Sequence, residues 1–250
     1  MVLSTRVSLQ WLPEEPNELT STMVFTSAQD HFVDVRIYKD KYPYRQVGEQ
    51  PERFEDVFDW VIVGEEEAIE NTNQIRFNHT VNLQEIARSL ATKKPLSECR
   101  SDPDVGAFWP IEGSEDRKET GAMAHPNTGK TTEYVEIWRS LNPNLTSVDK
   151  EVREGYDEKG AATHEDAAPV ATYDLKTKGF IGRITRLGNW VQGVIYEENE
   201  TEFPISVVRK FRDANSGKWM DLITYGKHKF PEIYTDVSPV PEDSEWEQIE

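Results

Sequence analysis

At 250 residues, with 36% hydrophobic and 30% charged side chains, the chain is long enough for one large β-domain or two domains of about 100 residues each. Its 46 acidic against 28 basic residues give a formal charge of −18, a surface that repels a phosphate backbone, so nucleic-acid binding is not expected. Cys99 is the only cysteine, which excludes an internal disulfide and suits a reducing compartment. Neither a bilayer-length apolar run nor a leader pattern is present, so no membrane span and no secretion are expected.

In chain order, Val7, Leu9 and Trp11 alternate with Ser8 and Gln10 up to Pro13, the period-2 pattern of a half-buried strand. Residues 23–38 repeat that pattern around Asp30-His31, with Val33, Val35 and Ile37 on one face, and predict a hairpin. Residues 57–64 are apolar on both faces, while 74–81 alternate Ile75, Phe77, His79 and Val81 with polar residues, predicting a second hairpin. Asn82 then caps a short helix, with Glu85 placed for a capping box and Pro95 as its stop. Residues 97–127, rich in proline and glycine, read as a domain junction, and 134–138 as a strand. The polar stretch 143–169 reads as a long loop or disordered insert. The strongest β-pattern follows in 180–187, 190–196, 205–211 and 219–225, separated by Gly188-Asn189, residues 197–204 and Asn215-Ser216-Gly217. Residues 32–38 can be laid over 190–196 as a weak internal echo.

The expected fold is therefore all-β, mainly antiparallel, with an amino-terminal barrel-like domain over 1–100 and a carboxy-terminal one over 116–250 that carries a polar insert near 144–172. The chain also resembles a known family on Phe58-Asp59-Trp60 with Gly64, Glu119-Thr120-Gly121-Ala122, and Glu136-Ile137-Trp138 with Pro143. Further on, Gly188-Asn189-Trp190-Val191-Gln192-Gly193, Ser216-Gly217-Lys218 and Tyr225-Gly226-Lys227 extend the likeness. It is similar to the fungal casein-kinase-I-interacting proteins of the Hri-one family. That resemblance implies two tandem lipocalin-like β-barrels with little helix, a place in cytoplasm and nucleus, and a casein kinase I as protein partner. It supplies no catalytic residues.

No motif points to an enzyme. His125-Pro126-Asn127-Thr128-Gly129-Lys130-Thr131 imitates the end of a phosphate loop, but Ala124 stands where its first glycine belongs, and a surface turn is the better reading. The five histidines lie far apart in sequence and none forms a metal-site pair, so no metal and no cofactor are expected. No nucleophile elbow occurs, and with 46 acids carboxylate clusters are the default of a solvated face. His79 is in phase with Ile75, Phe77 and Val81 and is expected as a hydrogen-bonded barrel or rim histidine. Trp60, His79, Trp190, Gln192 and Tyr196 are the candidate barrel or interface positions. A non-enzymatic binding or adaptor protein is the expected function; the alternative is a carrier of a small apolar ligand inside one barrel.

Overall fold

The structure, a computed structural model, describes residues 1–144, 169–213, 215–232 and 244–250. The alternating segments pair as antiparallel neighbours, and eight of the strands close into a barrel. They are β1 (Val2–Trp11), β2 (Thr20–Thr26), β3 (His31–Tyr38), β5 (Phe58–Ala68), β6 (Gln74–Asn82), β7 (Asp104–Pro110), β8 (Arg117–Ala124) and β9 (Thr131–Leu141). Closure comes from β9 returning along β1, with Leu3 opposite Leu141 and Trp11 opposite Tyr134. Between β3 and β5 the chain leaves the barrel to form β4 (Tyr44–Arg45) and the short helix α1 (Phe54–Val57).

The remaining strands are β10 (Val170–Leu175), β11 (Phe180–Leu187), β12 (Trp190–Glu197), β13 (Ile205–Arg212), β14 (Trp219–Tyr225) and β15 (Trp246–Gln248). With β4 they make a seven-stranded sheet in the order β15-β10-β11-β12-β13-β14-β4. All its pairs are antiparallel except β14 with β4, where Ile223 lies opposite Tyr44 and Thr224 opposite Arg45. Its two end strands are not bonded to each other among the described residues, so this ladder is open where the first is closed. Tyr44 sits 5.8 Å from the ring of Tyr225, which stacks edge-on against Phe58.

The barrel and the sheet are packed together through the barrel's outer wall. Strands alternate side chains between two faces, and on β3 the valine–isoleucine face, Val33, Val35 and Ile37, joins Val61 and Val63 of β5 in a buried cluster with Val194, Ile205, Val207 and Ile223 of the sheet. A neighbouring cluster brings Leu3, Met23 and Phe25 of the barrel against Trp190, Phe211 and Leu222. The opposite face of the sheet has its own core of Tyr173, Ile184, Val191, Ile195, Val208 and Trp246. The two segments that echo one another in sequence, β3 and β12, therefore meet across the interface.

Three sequence expectations change. Residues 104–141, read as a junction followed by the start of the carboxy-terminal domain, are the three strands that complete the amino-terminal barrel, so strand pairing does not follow the division at 100 and 116. The glycines that made this region look like a loop have a different purpose. A Cβ at Gly106 would overlap the Glu119 carboxylate and one at Gly121 the Tyr134 ring, so these residues clear space for large inward side chains within strands. The capping box does not form either. Asn82 accepts the Gln84 amide at 3.0 Å as expected, but Glu85 turns away to the Ser101 amide at 2.8 Å and the Arg100 guanidinium at 2.9 Å. Finally, a register shift between Val63 and Gly64 puts Val81 on the interface side while His79 stays with Phe77 on the lumen side. Gly64 is required there, because a Cβ would overlap the Asn78 carbonyl. The polar insert falls almost wholly on residues 145–168, outside the described residues. No described helix is long and apolar enough to cross a membrane.

Candidate functional site: the polar lumen of the amino-terminal barrel

Because the apolar face of β3 points outward to the sheet, its polar face, Phe32, Asp34 and Arg36, points inward. The same inversion holds on β9, where Tyr134, Glu136 and Trp138 are buried and Val135 and Ile137 are half-exposed. These side chains, with Trp60, His79, Asp104 and Glu119, line a cavity with about 60 Å³ open to water-sized spheres, space for a few waters at about 10–15 Å³ each. A second cavity of similar size adjoins it, sharing Val24, Phe77, Glu119 and Trp138 and reaching Ile75, Phe108, Glu66 and Arg117.

Charges in this lumen are paired. Glu136 lies 2.5 Å from Arg6 and 3.6 Å from Arg36. Arg6 also donates to Glu18 at 2.6 Å. Arg36 donates twice to Asp34 Oδ2, at 2.9 and 2.8 Å. Its guanidinium stands 4.8 Å from the Trp60 ring centre and 5.9 Å from that of Trp138, a cation held by two aromatic faces. Burial alone opposes the Arg36 charge, but Asp34 and Glu136 outweigh it and hold the group protonated above its ordinary value.

Glu119 lies directly opposite Glu136 across the β8–β9 pair, a position where like charges repel. It accepts from the Tyr134 hydroxyl at 2.9 Å and the Trp138 indole at 2.8 Å. Burial, with the Glu136 charge second, pushes its carboxyl up to about 8, which favours the neutral form at pH 7. Burial also raises Asp104 and lowers His79. Asn82 fixes the imidazole. Its Oδ1 accepts from the Trp60 indole at 2.8 Å and from Gln84 N, so its Nδ2 donates to His79 Nδ1 at 3.1 Å. The ring proton then resides on Nε2, which finds no hydrogen-bond partner and has Asp104 at 3.5 Å. Asp34 Oδ1 is likewise buried without a partner.

The raised Glu119 carboxyl makes a testable contribution to stability. Its folded value lies above the ordinary 4.5, so the folded state binds more protons between those limits and stability falls as pH rises through the window, by at most about 1.4 kcal/mol per unit. Glu119→Gln removes that slope. In urea titrations at pH 5.5 and pH 8, about the two ends of the window, the wild type should lose more stability than the variant; equal losses would contradict the raised carboxyl.

The five candidate positions fall into two groups separated by the barrel wall. Trp60 and His79 line the lumen. Trp190, Gln192 and Tyr196 lie at the interface with the sheet. There Gln192 donates to the carbonyls of Met23 and Val33, both at 2.9 Å, and accepts from Arg209 at 2.7 Å. Arg209, fully buried, reaches on to the Val35 carbonyl at 2.9 Å. Sequence reasoning missed Asp34, Arg36, Glu119, Tyr134, Glu136 and Trp138. A signal was present: on residues 134–138 the charged Glu136 shares its phase with Tyr134 and Trp138, and a solvated face rarely carries two such rings. The phosphate-loop imitation at 125–131 is the β8–β9 hairpin turn, closed by His125 and Lys130, with Gly129 at φ +65°. Among the described residues no three His, Cys, Asp or Glu side chains are grouped to hold a metal ion.

Comparison with known proteins agrees with the fold. The family model described as Protein HRI1 matches residues 2–248. Protein HRI1 of Saccharomyces cerevisiae, in strains Lalvin QA23 and YJM789, is 23% identical over 226 residues, covering 89% of this chain and 86% of the relative. The crystal structure of the uncharacterized protein YLR301w from the same yeast superposes with a TM-score of 0.67 at 19% identity, covering 100% of this chain and 98% of that one. This chain belongs to the HRI1 protein family.

Proposed function

We propose that this chain is a non-enzymatic binding protein of cytoplasm and nucleus that acts as an adaptor for a casein kinase I. Membership of the HRI1 family carries the reading, since the resemblance implied that partner. The charge of −18 supports it, because an acidic scaffold complements the basic surface of a kinase that prefers acidic surroundings. So does the buried Gln192–Arg209 network, which ties the sheet to the barrel wall and suits a rigid scaffold. Purified casein kinase I should be retained by the immobilised full-length protein at low ionic strength and released as salt rises. No retention at low salt would remove the adaptor reading.

A second reading, carriage of a small molecule in the amino-terminal barrel, is favoured by one observation: two buried polar atoms, Asp34 Oδ1 and His79 Nε2, face the lumen without partners. Burying polar groups dry costs about 1–3 kcal/mol each. The charged lining argues for a polar ligand in place of the apolar one that lipocalin resemblance suggests.

A further inference from the structure

We propose that the lumen of the amino-terminal barrel binds a small primary ammonium ion, its head among Asp34, Asp104 and Glu119 and its short tail in the adjoining chamber. The proposal rests on the carrier reading and names its ligand class. Four carboxyl groups, Asp34, Asp104, Glu119 and Glu136, line the first chamber, against one guanidinium, Arg36, and one imidazole, His79. The guanidinium is already committed, chelated by Asp34 Oδ2 and held between two tryptophans. Glu136 has Arg6. Acceptor capacity remains on Asp34 Oδ1, which is buried and unpartnered, and on Asp104 and Glu119, whose described partners carry no full positive charge.

Asp34 and His79 keep only 4% and 5% side-chain exposure, whereas Asp104 at 29% marks the wetter edge. An ammonium group donates up to three hydrogen bonds and accepts none, which matches carboxylates in excess of cations. The rings of Trp60, Trp138 and Tyr134 that line the chamber favour a cation, as Trp60 and Trp138 already do for Arg36. An anion would meet the carboxylates. An apolar molecule would leave the acceptor Asp34 Oδ1 buried dry. The adjoining chamber sets the orientation: Ile75 and Phe108 offer apolar wall to an alkyl tail, and Arg117 there repels the charged head.

Burial and the Glu136 charge favour the neutral form of Glu119, and an arriving ammonium favours its ionised form, so binding releases protons to the buffer. Calorimetry of the full-length protein with butylammonium, sodium butyrate and butanol tests the proposal. Butylammonium should bind one to one with a Kd of about 0.1–1 mM, a range suited to five heavy atoms. Its apparent enthalpy should vary with the ionisation enthalpy of the buffer. Glu119→Gln, which keeps the shape of a neutral carboxyl, and Asp104→Asn at the wetter edge should each weaken binding about tenfold, a loss of one charge contact. Because Asp104 is partly exposed, the second variant decides the matter if the first fails to fold. Amine binding that is unchanged in the folded variants would overturn the proposal. Preference for butyrate or butanol would also overturn it while leaving carriage in place. Absence of binding by all three probes would remove both the ammonium proposal and the carrier reading, with kinase retention unaffected.

Discussion

Trp190→Ala is expected to lower the unfolding free energy by about 3–5 kcal/mol, the range for removing a buried aromatic side chain. Trp190 opens β12 and is fully buried. It packs at 4.8 Å from the Phe211 ring and shares a cluster with Leu3, Met23 and Phe25 of the barrel wall and Leu187 and Leu222 of the sheet. Its removal opens a cavity at the seam between barrel and sheet, where neither backbone can collapse without disturbing a strand ladder. The indole nitrogen has no hydrogen-bond partner, so Trp190→Phe gives up volume but no paired donor and should cost much less. Urea midpoints of the two variants decide the matter. An unchanged midpoint for Trp190→Ala would remove its role as an anchor, and equal losses in both variants would shift the weight from volume to the indole N–H.

Arg6→Met should be similarly damaging, by about 3–5 kcal/mol, because removing one partner of a buried ion pair leaves the other charge without compensation. The Arg6 side chain is 2% exposed and binds Glu18 and Glu136, exposed by 6% and 4%. Its loss leaves Arg36, 3.6 Å away, as the cation beside Glu136, and strips Glu18 of its ion pair. The pH dependence gives this prediction a separate signature. Burial pushes the Glu18 carboxyl upward, but the Arg6 charge and hydrogen bonds from Arg6 and Thr20 outweigh it and hold the group below its ordinary value of 4.5. A depressed carboxyl contributes stability that is present above the unfolded value and lost as pH falls through the folded one. The gap between wild type and Arg6→Met should therefore be full at pH 7 and narrow below pH 4.5. A gap that stays constant into acid would show that packing, not charge, is what Arg6 contributes.

The two sites were legible to different degrees, and the reason lies in which face of a strand meets what. Trp190, Gln192 and Tyr196 were visible in sequence as one face of an apolar strand, and that face is buried. The two faces of β12 are Trp190, Gln192, Val194 and Tyr196 on one side and Val191 and Ile195 on the other. Both are buried in the structure, one against the barrel wall and the other in the sheet's second core. Glu85 shows the same limit on a smaller scale. Its spacing from Asn82 suits a capping box, yet Arg100 and the Ser101 amide, brought close only by the fold, take its carboxylate.

Strand periodicity, hairpin positions and the short capped helix can be read from the chain alone because each depends on neighbours a few residues apart, and its acidic character follows from composition. That the apolar face of the barrel turns outward and its charged face inward is set by long-range packing. Alternation defines two faces but does not say which is interior, and the choice here is set by a sheet more than a hundred residues downstream that covers Val33, Val35 and Ile37. Once those side chains are buried on the outside, Asp34 and Arg36 on the same strand must point into the lumen, and Gly106 and Gly121 give Glu119 and Tyr134 the space to meet them.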